Sequence, residues 1–484
     1  MATLPPTASF ARTSSSAGST PWITLAVLST AQLMVVLDDT VVNIALPTAQ
    51  ADLGFAASQR QWVVTGYAAG FAALLPLGGR LVDRLGARRL LIVGSALFVS
   101  ASLLGGAASS LLVLVGARVG QGMGAACLAP AALAGLTVAF PAGETRRRAF
   151  AVFAAISACG ALVGLLLGGL LTGWSWRWSL LINAVIALPV ILGARTVPSQ
   201  RRRNEEAVDV VGTGLALAGL LLLVAGLSRI DLQALPILSA VAGLVLLGVF
   251  VRRQRHSSAP LLPLTGLGSR SGALTALLLG YAGMFTVFVF LTYVLQRDFG
   301  FSPLGTGLAY LPMTAAIGAG SGLGAVLTRS VSVGVVIPAG MVLAAAGLSW
   351  LAAMDARSSY VGAVLGPTLV LGVGLGAVFS TAVSTATADV EAQDAGAASA
   401  LVNVAQQIGV ALGTALLSGI AAGVVDQGRD SVVSAVAAFG AAAVIFLVGS
   451  AASALLLGRH RPADHLEVEL SRSPSTYVDQ QDRP

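Results

Sequence analysis

Apolar blocks of about twenty residues alternate with short polar stretches along most of this chain. As helices, such blocks are long enough to cross about 30 Å of hydrocarbon. Fourteen begin near Trp22, Trp62, Leu90, Leu111, Phe150, Trp178, Gly212, Ala234, Leu274, Gly305, Val335, Val361, Ala397 and Ser431. They are numbered here as spans 1–14. Residues 1–20, rich in Ser, Thr, Ala and Pro, are expected to be a disordered cytoplasmic tail, and the polar residues 459–484 a second one. Span 1 is too long for a cleaved signal segment and reads as a retained anchor.

The polar stretches carry a second pattern. Alternate loops hold Arg80/84/88/89, Arg146/147/148, Arg195/201/202/203, Arg252/253/255/270 and Arg329, whereas the others hold one arginine or none. Positive residues collect on the cytoplasmic side, which predicts both termini inside a cell (inner) membrane. Within the spans, Gly120-Gln-Gly-Met-Gly-Ala125 of span 4 recurs as Gly372-Val-Gly-Leu-Gly-Ala377 of span 12. An echo eight spans later, where two parallel six-span halves would give six, implies two inserted helices. The expected organisation is a six-helix half over 21–196, inserted spans 7 and 8 with their linkers over 197–272, and a second half over 273–458.

Composition narrows the function classes. Of 484 residues, 56% are hydrophobic and 10% charged, with a mean hydropathy of +0.86, too little polar surface for a water-soluble globule. The net charge of +7 lies in loop clusters, so it argues for membrane orientation and against a nucleic-acid partner. Every basic residue is arginine. Without lysine there is no phosphate-cradling P-loop and no Schiff-base chemistry. His256, His460 and His465 lie in polar segments, and Cys127 and Cys159 read as packing residues, so no metal or cofactor is expected.

Ionisable residues inside a span mark functional sites. Three lie deep: Asp38 and Asp39 in span 1 and Arg118 in span 4. Asp38 lies about 12 Å from the outer edge of its span, and Arg118 about as far from its own. At 100° per residue Gln32, Asp39 and Asn43 share a polar face, while Asp38 points about 100° away. One carboxylate can therefore meet Arg118 while the other lines a cavity; a purely structural ion pair is the competing reading. Other polar or aromatic positions in the spans are Gln121, Gln406 and Gln407, and Phe285, Phe288, Phe290 and Tyr293. The aromatic set suits either packing, lipid contact or stacking on an aromatic solute.

Five motifs in order carry a resemblance. Leu37-Asp-Asp-Thr-Val-Val-Asn-Ile-Ala-Leu-Pro47 resembles the span-1 signature of the fourteen-span drug:proton antiporters (multidrug efflux type) of the major facilitator superfamily. Gly79-Arg-Leu-Val-Asp-Arg-Leu-Gly-Ala-Arg-Arg89 is similar to that superfamily's loop between spans 2 and 3, and Arg118-Val-Gly-Gln-Gly122 to its span-4 motif. Trp176-Arg-Trp178 with Asn183, and Tyr293-Val-Leu-Gln296 through Phe301-Ser-Pro303 to Leu311-Pro312, resemble further markers.

The resemblance implies an all-α polytopic major facilitator fold and roles residue by residue. Asp38 matches the acid linked to substrate or proton handling, and Arg118 the arginine of proton coupling. Gly79, Asp83, Arg84, Gly86 and Arg88 match a conformational latch on the cytoplasmic side. Facing that latch, Asp389, Glu391 and Asp394 are expected to form an acidic counterpart. The span-5 motif keeps Gly160, Gly164, Gly168 and Gly169 but has Leu165 where the family has proline; Val185 likewise replaces a usual proline. The implied function is proton-coupled export of lipophilic small molecules or antibiotics by alternating access, and two aspartates with one arginine leave a net negative charge in the spans that favours cations over anions. The partners are then solute, protons and lipid, with the chain a monomer and not an enzyme. An exporter of a self-made metabolite, an importer, or a ligand-binding membrane sensor are the rival readings.

Overall fold

The computed structural model describes residues 20–141, 143–198, 209–228, 234–257, 267–355, 358–388, 395–425 and 431–458. The acidic loop at 389–394 and Arg201–Arg203 lie outside the described residues. Helices are α1 (Thr20–Leu53), α2 (Gln61–Leu85), α3 (Ala87–Gly106), α4 (Leu111–Ala139), α5 (Glu144–Trp174) and α6 (Trp178–Gly193). They continue as α7 (Val210–Leu227), α8 (Ala234–His256), α9 (Leu267–Tyr293), α10 (Pro303–Ala309) and α11 (Leu311–Leu327). The last four are α12 (Val333–Leu351), α13 (Gly366–Thr387), α14 (Ala395–Val425) and α15 (Ser431–Gly458). Among the described residues there is no strand, and fourteen helical stretches are long and apolar enough to cross a membrane. Spans 1–9 are α1–α9, span 10 is α10 with α11, and spans 11–14 are α12–α15.

Local chemistry places several boundaries. Gly86, at φ 82° and ψ 152°, reverses the chain between α2 and α3 in a conformation that a side chain would strain. Ser110 caps α4 by accepting from the Val113 N–H, and Asp209 caps α7 through Gly212. Ser302 accepts from the Gly305 N–H, with Pro303 supplying the first helical residue of α10.

Two compact units form. The first holds α1–α8 and, from the later chain, Leu295–Tyr310; the second holds α9 and α11–α15. The division therefore does not follow span number. The stretch 295–310 leaves α9 through a π-helical turn, Val294–Asp298, and joins the first unit. There Gln296 Nε2 donates to the Ile44 carbonyl of α1 at 3.0 Å. Spans 7 and 8 pair with each other, and span 7 leans on α2, within the first unit.

Apolar burial does not by itself hold membrane helices together, so close packing of small residues carries much of the contact. A Cβ at Gly122 of α4 would strike the Tyr67 carbonyl of α2, and one at Gly124 would come within 2.9 Å of Phe98 in α3. In the second unit α13 sits likewise between α11 and α12. Gly372 and Gly376 press on α11 at Met313 and Ile317, and Gly374 presses on α12 at Ala344. The glycine echo thus marks the same architectural place in each unit. Its register is shifted by two residues, however: Gly122 presses on a carbonyl of α2 as Gly372 and Gly376 press on carbonyls of α11, whereas Gly374 faces α12.

Candidate functional site

Asp38 of α1 is fully buried, bonded by side chains of α4 and α6, with residues of α2 and α3 behind those partners. Arg118 of α4 forms an ion pair with it through Nη1 and Oδ2. The same Nη1 donates to Gln121 Oε1 at 2.9 Å, and Arg118 Nε donates to the Val63 carbonyl of α2 at 3.0 Å. The guanidinium lies over the Tyr67 ring, 4.5 Å from its centre, a cation–π contact in a dry setting. Gln121 Nε2 donates to Asp38 Oδ1 at 2.9 Å and to Ser102 Oγ of α3 at 2.8 Å. Asn183 Nδ2 of α6 donates to the same Oδ1 at 2.6 Å. Tyr67 completes the shell by donating to the Val35 carbonyl of α1 at 3.2 Å.

Geometry therefore assigns the two aspartates differently. A buried ion pair keeps its place only when further hydrogen bonds satisfy both charges, and Asp38–Arg118 has them. Asp39, half-buried, has an Oδ1 that is shut off from solvent and has no hydrogen-bond partner among the described residues. One turn on, Asn43 Nδ2 donates to the Asp39 carbonyl at 2.8 Å, leaving its own buried Oδ1 without a donor. Gln32, half-buried, lies on the same side of α1. This side of the helix offers two buried acceptors to any proton, water or donor group that enters.

The span-5 glycines position α1 from its other flank. A Cβ at Gly164 would collide with Thr40 Oγ1, and one at Gly168 would lie 3.0 Å from Val41 Cα; Gly160 faces Leu33 and Val36. Gly169 instead faces α10, where a Cβ would lie 2.6 Å from Leu304 Cα. At the end of α1, Asp52 Oδ2 accepts from Trp176 Nε1 at 2.9 Å and from Arg177 Nη1 at 2.6 Å. Arg177 Nη2 reaches the Ala108 carbonyl at 3.1 Å, so this strap ties the ends of α1, α3 and α5.

The remaining expected residues lie elsewhere. Gly79 is half-buried, Asp83 and Arg84 are exposed and Arg88 is half-buried, all at the α2–α3 turn. Tyr293 and Gln407 belong to the second unit, on α9 and α14, and are not part of the Asp38 cluster. Phe285, Phe288, Phe290 and Tyr293 are all buried, which removes lipid contact as their role. Phe285 packs edge-on against Phe288, and Tyr281 lies 4.6 Å from Phe379. Val185 is exposed and Leu165 buried; Cys127 and Cys159 are free thiols. Tyr67 and Ser102 were not expected from the sequence. A lone Tyr and Ser in apolar spans carry no spacing signal; only the convergence of the helices reveals them.

Comparison with known proteins decides the family. The model of the Major Facilitator Superfamily matches residues 28–414. The chain belongs to that superfamily. It is thus a multi-pass membrane transporter, and its relatives include named exporters. It is 42% identical over 412 residues to a puromycin resistance protein of Streptomyces alboniger, covering 83% of this chain and 82% of that one. To a cephamycin export protein of Amycolatopsis lactamdurans the transporter is 40% identical over 421 residues, covering 84% and 86%. To a multidrug efflux pump of Mycolicibacterium smegmatis it is 33% identical over 407 residues, covering 82% and 80%. Among solved structures, a bacterial homologue of the human lysosomal transporter Spinster, inward-facing and unoccupied, superposes with a TM-score of 0.66. That match is 17% identical, spans 93% of this chain and all of the other, and speaks for the fold alone.

Proposed function

We propose that this transporter exports lipophilic antibiotics, cations among them, in exchange for protons, and that Asp39 is the carboxyl that exchanges its proton for cargo. The observation that carries the reading is the contrast within one turn of α1. Asp38 is locked by Arg118, Gln121 and Asn183, whereas Asp39 Oδ1 is buried without a donor. A carboxylate already saturated with donors has little reason to release or take a proton during a cycle. An acceptor with an open position does. The names of the relatives, puromycin resistance and cephamycin export, support antibiotics as the cargo class.

The arginine asymmetry supports a cell membrane location with both termini inside. The α2–α3 turn with Gly79, Asp83, Arg84, Gly86 and Arg88 would serve as the cytoplasmic latch, and a monomer with lipid around it would suffice. The halves at 21–196 and 273–458, with spans 7 and 8 as an insertion, describe the expected repeat.

The test is accumulation in proteoliposomes with an acidic lumen, using puromycin and tetraphenylphosphonium as probes. Each pH unit of gradient per exchanged proton supports about tenfold accumulation. Wild-type protein should accumulate the probes and lose them when a proton-exchanging ionophore removes the gradient. Asp39→Asn should bind the probes yet fail to concentrate them. Undiminished accumulation by Asp39→Asn would overturn the assignment.

A further inference from the structure

Hydroxyl groups in membrane helices ordinarily bond to the carbonyl one turn back. In the second unit Thr286 donates to the Ala282 carbonyl, Thr292 to Phe288 and Thr368 to Val364, while the buried Thr381 hydroxyl of α13 has no partner among the described residues. On α14 the rule breaks twice, one turn apart. Thr414 and Ser418 are buried, and among the described residues neither hydroxyl has a partner, although a carbonyl is within a turn's reach of each. About two to three turns earlier on the same helix, Gln407 Oε1 is in the same condition, on a residue 9% exposed.

These three residues share one face. Gly409 and Gly413 fix the opposite one, because a Cβ at either would run into Leu278 or Ala282 of α9. At 100° per residue, Gln407, Thr414 and Ser418 lie about 140–180° from Gly409. They are buried, so lipid is not their neighbour, and lipid could not satisfy them in any case. Along the helix, Gln407 and Thr414 are about 10 Å apart, and Thr414 and Ser418 about 6 Å.

We propose that this face of α14 is a track for the polar edge of the transported solute, taking neutral hydrogen-bonding groups and not charge. It rests on the exporter reading given above. The free atom of Gln407 accepts, so it calls for an O–H or N–H on the solute. The two hydroxyls both donate and accept, so they suit alcohols, amides and ethers. None of the three carries a charge. The track therefore selects among solutes by their hydroxyls and amides, separately from any selection for cations.

The first arm needs no cargo. In a Cys127→Ala, Cys159→Ala background, single cysteines at 407, 414 and 418 should react with a small charged thiol reagent, and Ala405→Cys, on the α9 side, should not. Positions 414 and 418 no more reactive than 405 would overturn the track, whether or not transport is seen. The second arm uses Thr414→Val with Ser418→Ala. Two lost neutral hydrogen bonds should raise the half-saturating puromycin concentration by about tenfold. Tetraphenylphosphonium, which has no hydrogen-bonding group, should be handled as by wild-type, and the melting temperature should not fall. Equal weakening for both probes would overturn the proposal. Wild-type protein that accumulates neither probe would instead overturn the exporter reading, while the labelling arm still decides the track.

Discussion

Asn183, on α6, holds the same Asp38 oxygen that Gln121 of α4 holds, at 2.6 Å against 2.9 Å. With Arg118 on the other oxygen, Asp38 is a junction of three helices before it is anything else. Asp38→Asn should therefore lower the melting temperature of the detergent-purified protein as well as abolish export. It leaves the Arg118 charge buried without its counter-ion, a loss of about 3–5 kcal/mol. Unchanged stability in that variant would contradict the junction role.

Removing the amide alone is a milder cut. Asn183→Leu leaves the ion pair but takes one donor from Asp38, and it also removes the buried Asn183 Oδ1, which has no partner among the described residues. The expected cost is about 1.5–3 kcal/mol for a hydrogen bond to a charged group. Combined with Gln121→Leu it should give a non-additive loss in a double-mutant cycle, since both amides serve one oxygen. Strict additivity would show two independent contacts.

Outside the membrane, Asp209 closes the α7–α8 hairpin. Arg253 Nε donates to both of its oxygens at 2.9 Å and Gln254 to one at 3.1 Å. Partial burial pushes its carboxyl up, but the Gly212 N–H, Arg253 and Gln254 outweigh this and hold it below the ordinary value of 3.8. A depressed folded-state value means the clamp is fully present above the unfolded pKa and lost as the pH falls through the folded one. Hydrogen exchange at Gly212 and Thr213 should therefore stay slow at neutral pH and accelerate only in strong acid. Asp209→Asn should show the fast exchange already at pH 7; slow exchange in that variant would mean the clamp is idle.

Membrane orientation can be checked at residues the structure exposes. Ser109, in the α3–α4 turn, and Arg147, at the start of α5, are both accessible. With the native cysteines replaced, Ser109→Cys should react with an impermeant thiol reagent in intact cells and Arg147→Cys only after permeabilisation. The reverse pattern would place both termini outside.

Much of this was legible in the linear pattern. Block lengths near twenty gave all fourteen spans because lipid forces a helix to satisfy its own backbone. Depth counting put Asp38 level with Arg118, and the helix wheel separated Asp38 from Asp39. It could not say which aspartate takes the arginine, because that depends on how α4 is rotated against α1. Nor could it foresee that 295–310 would leave the body of span 9. That outcome rests on a π turn and on Gln296 reaching the Ile44 carbonyl, contacts between residues some 250 positions apart. The glycine echo is legible but its register is not, because repeated small residues match in several registers, and only the contacts set Gly122 beside Gly372 or Gly376 and not beside Gly374.

The seat of α10 on α5 has a consequence for inheritance. A Cβ at Gly307 would lie 2.5 Å from the Leu165 carbonyl oxygen, and one at Gly169 would lie as close to Leu304. Leu165 stands where the resembling antiporters have proline, so here an unbroken α5 backbone meets Gly307 of α10, and Gly169 of α5 meets the α10 backbone. Gly307→Ala should displace α10 at a cost of about 1–3 kcal/mol, and proline at 165 would reshape the surface α10 rests on. Positions 165, 169, 304 and 307 therefore meet in one seat, and a shift of the backbone at one is felt at the others. A chain with proline at 165 would therefore feel the change at 304 and 307, more than a hundred residues downstream, so an exchange of segments between relatives that differ at 165 would test the fit of α10 on α5.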